Sequence, residues 1–195
     1  MNANLTEIVF LIDRSGSMEG LEKDTIGGFN ALIENQNREN GETRVTAVLF
    51  DDQYEVLWNG MDAGSVRLTE KEYWVRGTTA LLDAAGRTMV EMGARLARTR
   101  EEERPGKLIF VITTDGMENA SMEFSHDQVS KMINHQREVY GWEFIFLGAN
   151  IDAAGEAEGI GIDPEHAYQF EASSDGVKKM YSMAETAINK SRKLH

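Results

Sequence analysis

Residues 7 to 17 read Glu-Ile-Val-Phe-Leu-Ile-Asp-Arg-Ser-Gly-Ser, an apolar run that ends on an aspartate and then turns through two serines. A short apolar run bounded by turn residues predicts a buried β-strand. Such a strand would bring Asp13, Ser15 and Ser17 to the surface at alternating positions of a tight loop. Alternate residues of this loop can direct their side chains into one small volume, and hard oxygen ligands of this kind suit Mg²⁺ or Mn²⁺.

Two further segments carry the same kind of residue at the same kind of boundary. Residues 77–84, Gly-Thr-Thr-Ala-Leu-Leu-Asp-Ala, place a hydroxyl at the start of a helical pattern. Residues 108–116, Leu-Ile-Phe-Val-Ile-Thr-Thr-Asp-Gly, form a second apolar strand that ends on Asp115. The Asp-x-Ser-x-Ser pattern occurs by chance in many chains, but three such segments in this order are much harder to obtain by accident.

At these residues the chain resembles a von Willebrand factor type A domain with a complete metal-ion-dependent adhesion site, of the bacterial, intracellular type. The resemblance covers nearly the whole chain. It implies five metal ligands, which are Asp13, Ser15, Ser17, Thr79 and Asp115. Thr78 is adjacent to the second-loop threonine, and alignment to the following Ala-Leu favours Thr79.

The apolar runs alternate with helical patterns, which predicts an α/β fold with a parallel sheet between two layers of helices. The predicted strands cover residues 7–13, 43–50, 54–58, 107–113, 142–148 and 167–171, and the second of the three early strands turns back into an antiparallel edge strand. The first helical pattern begins at residue 21 and stops near residues 40–41, and the others cover residues 81–96, 125–141, 153–158 and 177–188. Residues 59–76 stay unassigned except for a helical turn near 69–73. The resemblance implies a doubly wound, Rossmann-like three-layer sandwich with strand order 3-2-1-4-5-6.

Composition and charge restrict the classes of function. The 195 residues show no linker and no repeat, so we predict a single domain over residues 1–195. Cys is absent, which excludes a thiolate metal site. The first apolar run is too short for a signal peptide or a membrane span, so we expect a cytoplasmic protein with no membrane contact. The formal charge of −13 opposes binding to nucleic acid.

The predicted site has room for a partner. In an open α/β sheet, ligands bind beyond the carboxyl ends of strands whose connections diverge, and Asp13 and Asp115 would emerge side by side there. Three hydroxyls and at most two direct carboxylates leave a coordination position on a six-coordinate Mg²⁺ ion. The resemblance implies that an exposed Asp or Glu of a protein partner fills this position. We therefore expect a Mg²⁺-dependent interaction module that is not an enzyme, with Mn²⁺ or Ca²⁺ as alternative ions.

Several residues near the motifs have more than one interpretation. Arg14 and Met18 flank the ligands and should face outward, as partner contacts or as solvated loop residues. Asp83 is either an acceptor that holds the Asp13 loop or a favourable charge at a helix N-terminus. Asn119 either bonds a carbonyl of the Asp115 loop or serves ordinary turn chemistry. Residues 51–52 are expected to be hairpin residues, and a second cation site there is less favoured.

Three other interpretations remain. Asp13 and Ser15 alone could form a turn that only caps the first helix. A metal-assisted phosphatase or hydrolase could use the same fold, although the segments lack a second motif aspartate, a nucleophile elbow, a Walker A loop and a histidine base. A structural subunit could use the metal only for stability. Intracellular relatives imply an AAA+ ATPase or a stress-response component as partner.

Overall fold

One mixed sheet forms the centre of the structure, a computed structural model that describes residues 1–193. Within those residues the sheet has the order β3-β2-β1-β4-β5-β6. Its strands are β1 (Asn2–Asp13), β2 (Glu42–Phe50), β3 (Tyr54–Asp62), β4 (Pro105–Thr114), β5 (Glu143–Ala149) and β6 (Ala167–Phe170). All neighbouring pairs are parallel except β2 and β3, which are antiparallel. The predicted fold class and strand order are confirmed.

The helices cover both faces of the sheet. They are α1 (Glu22–Arg38), α2 (Leu81–Arg98), α3 (His126–Tyr140), α4 (Ala153–Gly159) and α5 (Ser174–Lys193). Buried side chains of α1 and α5 pack on one face, and those of α2, α3 and α4 pack on the other. The three-layer sandwich follows because each helix buries one apolar stripe against the sheet.

Strand β1 explains why the first apolar run lacks polar alternation. Ile8, Phe10 and Ile12 face the layer of α1 and α5, whereas Val9 and Leu11 face the layer of α2 and α3. A central parallel strand is covered on both faces and therefore needs apolar residues at every position. The apolar sequence thus places β1 in the middle of the sheet, between β2 and β4.

Some boundaries differ from the sequence prediction. Strand β1 begins at Asn2 rather than at residue 7, because backbone pairing with β4 extends past the apolar run to Pro105. Strand β3 continues to Asp62 rather than ending at residue 58, and register shifts interrupt its pairing with β2. Local capping signals were more exact guides. Ser125 and Gln128 form the predicted capping box of α3, and Gly141 ends that helix with a φ of 66°.

The carboxyl ends of β1 and β4 form the point at which the chain connections diverge. Ile12 pairs with Thr113, so Asp13 and Thr114 lie at the same height on adjacent strands. The chain then leaves β1 toward α1 on one face and leaves β4 toward α3 on the other. Ligands of open α/β sheets bind in the crevice that such a divergence creates.

Candidate metal centre

The carboxylate of Asp13 is held at the end of β1 by two hydrogen bonds. Its Oδ1 accepts from the backbone N–H of Ser15 at 2.7 Å, and its Oδ2 accepts from the hydroxyl of Thr114 at 2.7 Å. The side chain is buried. Each carboxylate oxygen can accept a second interaction, so Asp13 is oriented but still has coordination capacity.

The hydroxyls of the first loop meet the carboxylate of the third loop. Ser17 donates to Oδ1 of Asp115 at 2.7 Å. The Ser15 hydroxyl lies 3.4 Å from the same oxygen and 3.2 Å from the Ser17 hydroxyl. The other oxygen of Asp115, Oδ2, is buried and has no hydrogen-bond partner among residues 1–193. The first and third loops, which are about 100 residues apart in the chain, therefore bring their oxygen atoms into one cluster.

Thr79 of the second loop joins this cluster beside Gly116. A Cβ atom on Gly116 would lie 2.8 Å from the Thr79 hydroxyl and 3.7 Å from the Ser17 hydroxyl, so the glycine keeps this space clear. Asn119 fixes the height of the second loop, since its Oδ1 accepts from the Thr79 amide at 3.0 Å. The backbone N–H of Asn119 also donates to the backbone carbonyl of Thr79 at 3.1 Å.

Burial makes this pair of carboxylates electrostatically unfavourable. It raises the pKa of Asp13 to about 6, against the lowering effect of hydrogen bonds from Ser15 and Thr114, and the charge of Asp115 raises it further. Burial also raises the pKa of Asp115, although Ser17 and Ser15 oppose the shift. Two apposed carboxylates surrounded by neutral donors disfavour their own ionised forms, and a nearby cation reverses that preference.

The donor set fits a hard divalent cation. It combines two carboxylates with three hydroxyls, all oxygen ligands of the kind that Mg²⁺, Mn²⁺ and Ca²⁺ take. The unpartnered Oδ2 of Asp115 is an orphaned acceptor in this cluster. Within residues 1–193, no group of three or more His, Cys, Asp or Glu side chains could hold a metal. Metal binding at this centre would therefore depend on its hydroxyl oxygens.

Comparison with known families places the chain. The sequence profile of the von Willebrand factor type A domain matches residues 7–182, which is most of the chain. The chain belongs to the von Willebrand factor type A family. Members of this family, abbreviated VWA, are typically metal-dependent modules of protein interaction or adhesion. A search of curated proteins finds no match to this chain.

Solved structures share the fold at low sequence identity. Proximal thread matrix protein 1 of the mussel byssus, in a structure with a zinc-occupied metal-ion-dependent adhesion site, is 18% identical over 94% of this chain, with a TM-score of 0.65. This chain covers 45% of that protein's chain. The manganese-loaded TRAP protein of Plasmodium vivax is 16% identical over 96% of this chain and 73% of its own, with a TM-score of 0.66. The von Willebrand factor domain of the pilus tip protein Mfa5 from Porphyromonas gingivalis is 10% identical over 97% of both chains, with a TM-score of 0.67.

The prediction that Arg14 and Met18 face outward is wrong. Arg14 is fully buried, and its Nε and Nη1 donate to Asp51 and Glu55 at 3.0 and 2.7 Å. Met18 is buried because the short 3₁₀ turn Gly16–Met18 rotates its side chain into the protein. Neither residue of the VWA domain is available to a partner in this structure.

Asp83 agrees with one of its two interpretations, a negative charge in the first turn of a helix, whereas the predicted contact of Asn119 with a carbonyl of its own loop is replaced by another. Asp83 lies in the first turn of α2, but its carboxylate accepts the backbone amides of residues 122–124, each at 2.9 Å, rather than holding the Asp13 loop. Asn119 bonds the Thr79 loop rather than a carbonyl of its own loop. Both side chains thus connect the second loop and α2 with the third loop of the site.

Sequence reasoning missed two residues that support the first loop. Asp51 lies in the hairpin between β2 and β3, as expected. It is also fully buried, and its Oδ2 accepts from Arg14 and Arg76, which the sequence did not predict. Its sequence signal was a carboxylate directly after a buried strand, as at Asp115. Tyr73 is buried and donates its hydroxyl to the Asp13 carbonyl at 2.9 Å. Its segment, 59–76, has no periodic pattern that could have predicted this contact.

A search for a membrane-spanning helix gives a negative result. Within residues 1–193, no helix is both long enough and apolar enough to cross a bilayer.

Proposed function

We propose that Asp13, Ser15, Ser17, Thr79 and Asp115 form a complete metal-ion-dependent adhesion site that takes Mg²⁺ in the cell. Mn²⁺ and Ca²⁺ are the alternative ions. The observation that carries the proposal is the convergence of the Ser15 and Ser17 hydroxyls on Asp115, whose second oxygen is buried without a partner in the described part of the chain. Such an acceptor costs free energy unless it is satisfied, and a cation would satisfy it.

The residues of this chain divide the work of such a site. Asp13 and Asp115 would supply negative charge, and the three hydroxyls would supply neutral ligands that leave the ion electrophilic. When bound, the ion offers a coordination position to a hard anionic oxygen. We propose that an Asp or Glu of a protein partner fills it, and that the site performs no catalysis.

The rim of the site offers apolar contact to the same partner. Met117, two residues after Asp115, has 63% of its surface exposed, and Trp74, in the segment before Thr79, has 45% exposed. These residues take the role that the sequence had given to Arg14 and Met18. Exposed tryptophan is a frequent anchor in protein interfaces, so the partner should place an apolar side chain beside its carboxylate.

The cellular setting of the module is proposed from resemblance. We propose a single VWA domain of the bacterial, intracellular type that acts in the cytoplasm, with an AAA+ ATPase or a stress-response component as its partner. The chain's formal charge of −13 makes approach of an acidic partner unfavourable over distance. Only the local field of the ion would overcome that repulsion.

Calorimetric titration tests the metal site directly. The wild-type chain should bind Mg²⁺ or Mn²⁺ with about one ion per chain, and Asp13→Ala and Asp115→Ala should bind neither. Asp127→Ala is the matched control, because Asp127 is an exposed aspartate of α3 that pairs with the equally exposed Lys131 one helical turn away. An Asp13→Ala protein that binds Mg²⁺ as the wild type does would refute the site.

Partner binding needs its own test. Capture from the native cell should recover a specific protein with Mg²⁺ present and lose it with chelator or with the Asp13→Ala chain. Replacing one partner carboxylate by its amide should then remove most of the affinity. Capture that survives complete metal removal contradicts the adhesion mechanism.

A further inference from the structure

We propose that Arg14, Asp51 and Arg76 form a clasp that fixes the first and second site loops relative to each other and thereby sets the affinity for the cation. This inference rests on the proposed metal site. The three residues lie outside the five ligands and act through them, so they are positioning residues.

Asp51 is the centre of the clasp. Its Oδ2 accepts from Nε of Arg14 at 3.0 Å and from Nε of Arg76 at 2.7 Å. Its Oδ1 accepts from the backbone amide of Gln53 at 2.6 Å. Its backbone carbonyl accepts from the amide of Ala80 at 2.9 Å. Asp51 therefore contacts both loops. Its side chain holds the first loop through Arg14, and its backbone carbonyl holds the second loop through Ala80, the residue after Thr79.

Arg14 transmits this constraint without any intervening residue, because it lies between the proposed ligands Asp13 and Ser15 in the chain. Its amide donates to the carbonyl of Phe50, and its own carbonyl accepts from the amide of Arg76, both at 2.9 Å. A shift of Arg14 must therefore shift a ligand on each side. The backbone hydrogen bond from Arg76 to Arg14 would be strained at the same time, which leaves the longer bond from the Gly16 amide to the Gly77 carbonyl, at 3.3 Å, between the two loops.

The clasp is costly to bury, which argues that it has a role beyond packing. Arg14 and Asp51 have no exposed side-chain surface, and Nη2 of Arg14 has no hydrogen-bond partner within the 193 residues described. Replacing a buried ion pair by apolar residues is often neutral or stabilising. Trp74 also covers the clasp, since the guanidinium carbons of Arg14 and Arg76 lie 5.5 and 4.5 Å from its ring centroid. We infer that these buried, multiply bonded charges fix the positions of the two loops. Loss of a supporting bond around a metal site commonly lowers metal affinity by about 10–100-fold.

Charge and geometry make opposite predictions for Arg14. The positive charge of Arg14 repels a cation bound next to it, so its removal alone would tighten metal binding. Loss of the bonds to Asp51 and Glu55 would instead loosen the ligands and weaken metal binding. Lysine separates the two effects because it keeps the charge but lacks the planar group whose Nε meets Asp51 and whose Nη1 meets Glu55.

The experiment is a Mn²⁺ titration by calorimetry of the full chain in wild-type form and as Arg14→Lys, Arg14→Met, Arg76→Gln and Arg67→Gln. The last is a control, because Arg67 is an exposed arginine whose salt bridge, to Glu34 at 3.9 Å, is long and also exposed. We expect Arg14→Lys and Arg14→Met to weaken Mn²⁺ binding about 10-fold or more. Arg76→Gln should weaken it less, and Arg67→Gln should equal the wild type.

The outcomes separate the clasp from the metal site. A wild-type chain that binds no Mn²⁺ refutes the proposed function and the clasp with it. A wild-type chain that binds Mn²⁺ while Arg14→Lys binds equally well, or while Arg14→Met binds more tightly, refutes the clasp alone. If circular dichroism shows that the Arg14 variants are unfolded, the comparison of Arg76→Gln with Arg67→Gln is decisive, and equal affinities overturn the proposal.

Discussion

Three aspartates of this VWA domain stand at the ends of parallel strands, and their surroundings differ. Asp51 follows β2 and meets two guanidinium groups at 3.0 and 2.7 Å. Asp13 and Asp115, at the ends of β1 and β4, accept hydrogen bonds from hydroxyl and amide groups within residues 1–193. A similar sequence signal thus gives one compensated carboxylate and two uncompensated ones. The difference shows that a strand end positions a carboxylate, whereas neighbouring loops determine what it binds.

The strongest test of this comparison removes Asp51. Asp51→Ala leaves Arg14 buried without its main counter-charge, so we expect a loss of about 3–5 kcal/mol in the free energy of unfolding. Asp115→Ala, measured in chelator, should cost at most about 1 kcal/mol, the ordinary value of one hydrogen bond. Urea denaturation of both variants in chelator measures the difference. A smaller loss for Asp51→Ala than for Asp115→Ala would break the comparison.

The second test uses pH and metal-free protein. The pKa of Asp13 is raised to about 6, so between pH 4 and pH 6 this carboxyl group binds more protons in the folded state than in the unfolded chain. The contribution of Asp13 to the free energy of unfolding should therefore fall as the pH rises through this range, by up to about 3 kcal/mol. Asp13→Asn should remove most of that slope and be the more stable protein at pH 7 in chelator.

Urea denaturation at several pH values between 4 and 7 measures this effect. Asp127→Asn is the control, because it changes an exposed aspartate that pairs only across one helical turn with Lys131. Equal pH dependence of the wild type and Asp13→Asn between pH 4 and pH 6 in chelator would contradict the inferred burial cost of Asp13.

The third test adds the ion. Mg²⁺ at a hundredfold excess over its Kd should stabilise the wild-type chain by about 2.7 kcal/mol through mass action. Asp115→Asn should gain almost nothing, because it lacks one of the two site charges. Thermal denaturation with and without millimolar Mg²⁺ measures both. An unchanged wild-type midpoint would indicate that the uncompensated carboxylates do not hold the ion.

The smallest expected effect concerns a neutral ligand. Ser15→Ala removes one hydroxyl but leaves both carboxylates and the amide that orients Asp13. We expect metal binding to weaken by about 1 kcal/mol, roughly a fivefold change in Kd, without being abolished. Mn²⁺ titration beside Asp13→Ala measures the ranking. A Ser15→Ala protein as deficient as Asp13→Ala would mean that the hydroxyl, and not the charge, dominates the site.

Local sequence was sufficient to predict most helices and strands. Together with the family resemblance, it also predicted that the proposed ligands lie close together. The apolar residues 8–12 require a strand covered on both faces, and Ser125 with Gln128 fixes the start of α3. Parallel strands bring their carboxyl ends to one edge. The family resemblance, and not the pattern alone, implied the strand order that makes Asp13 and Asp115 neighbours there, and the sheet confirms that order. The central strand and the helix start follow from periodicity and capping, which act over a few residues.

Only the tertiary structure determined what the residues beside the ligands do. The direction of Arg14 depends on Asp51, 37 positions away, and the target of Asp83 lies about 40 positions along the chain. Residues 59–76 carry no periodic signal, yet they supply Tyr73 to the Asp13 carbonyl and Arg76 to the clasp. A buried charged side chain pairs with the opposite charge that the fold places beside it, because an unpaired buried charge costs much free energy. That choice is made by long-range packing, and a one-dimensional pattern does not contain it.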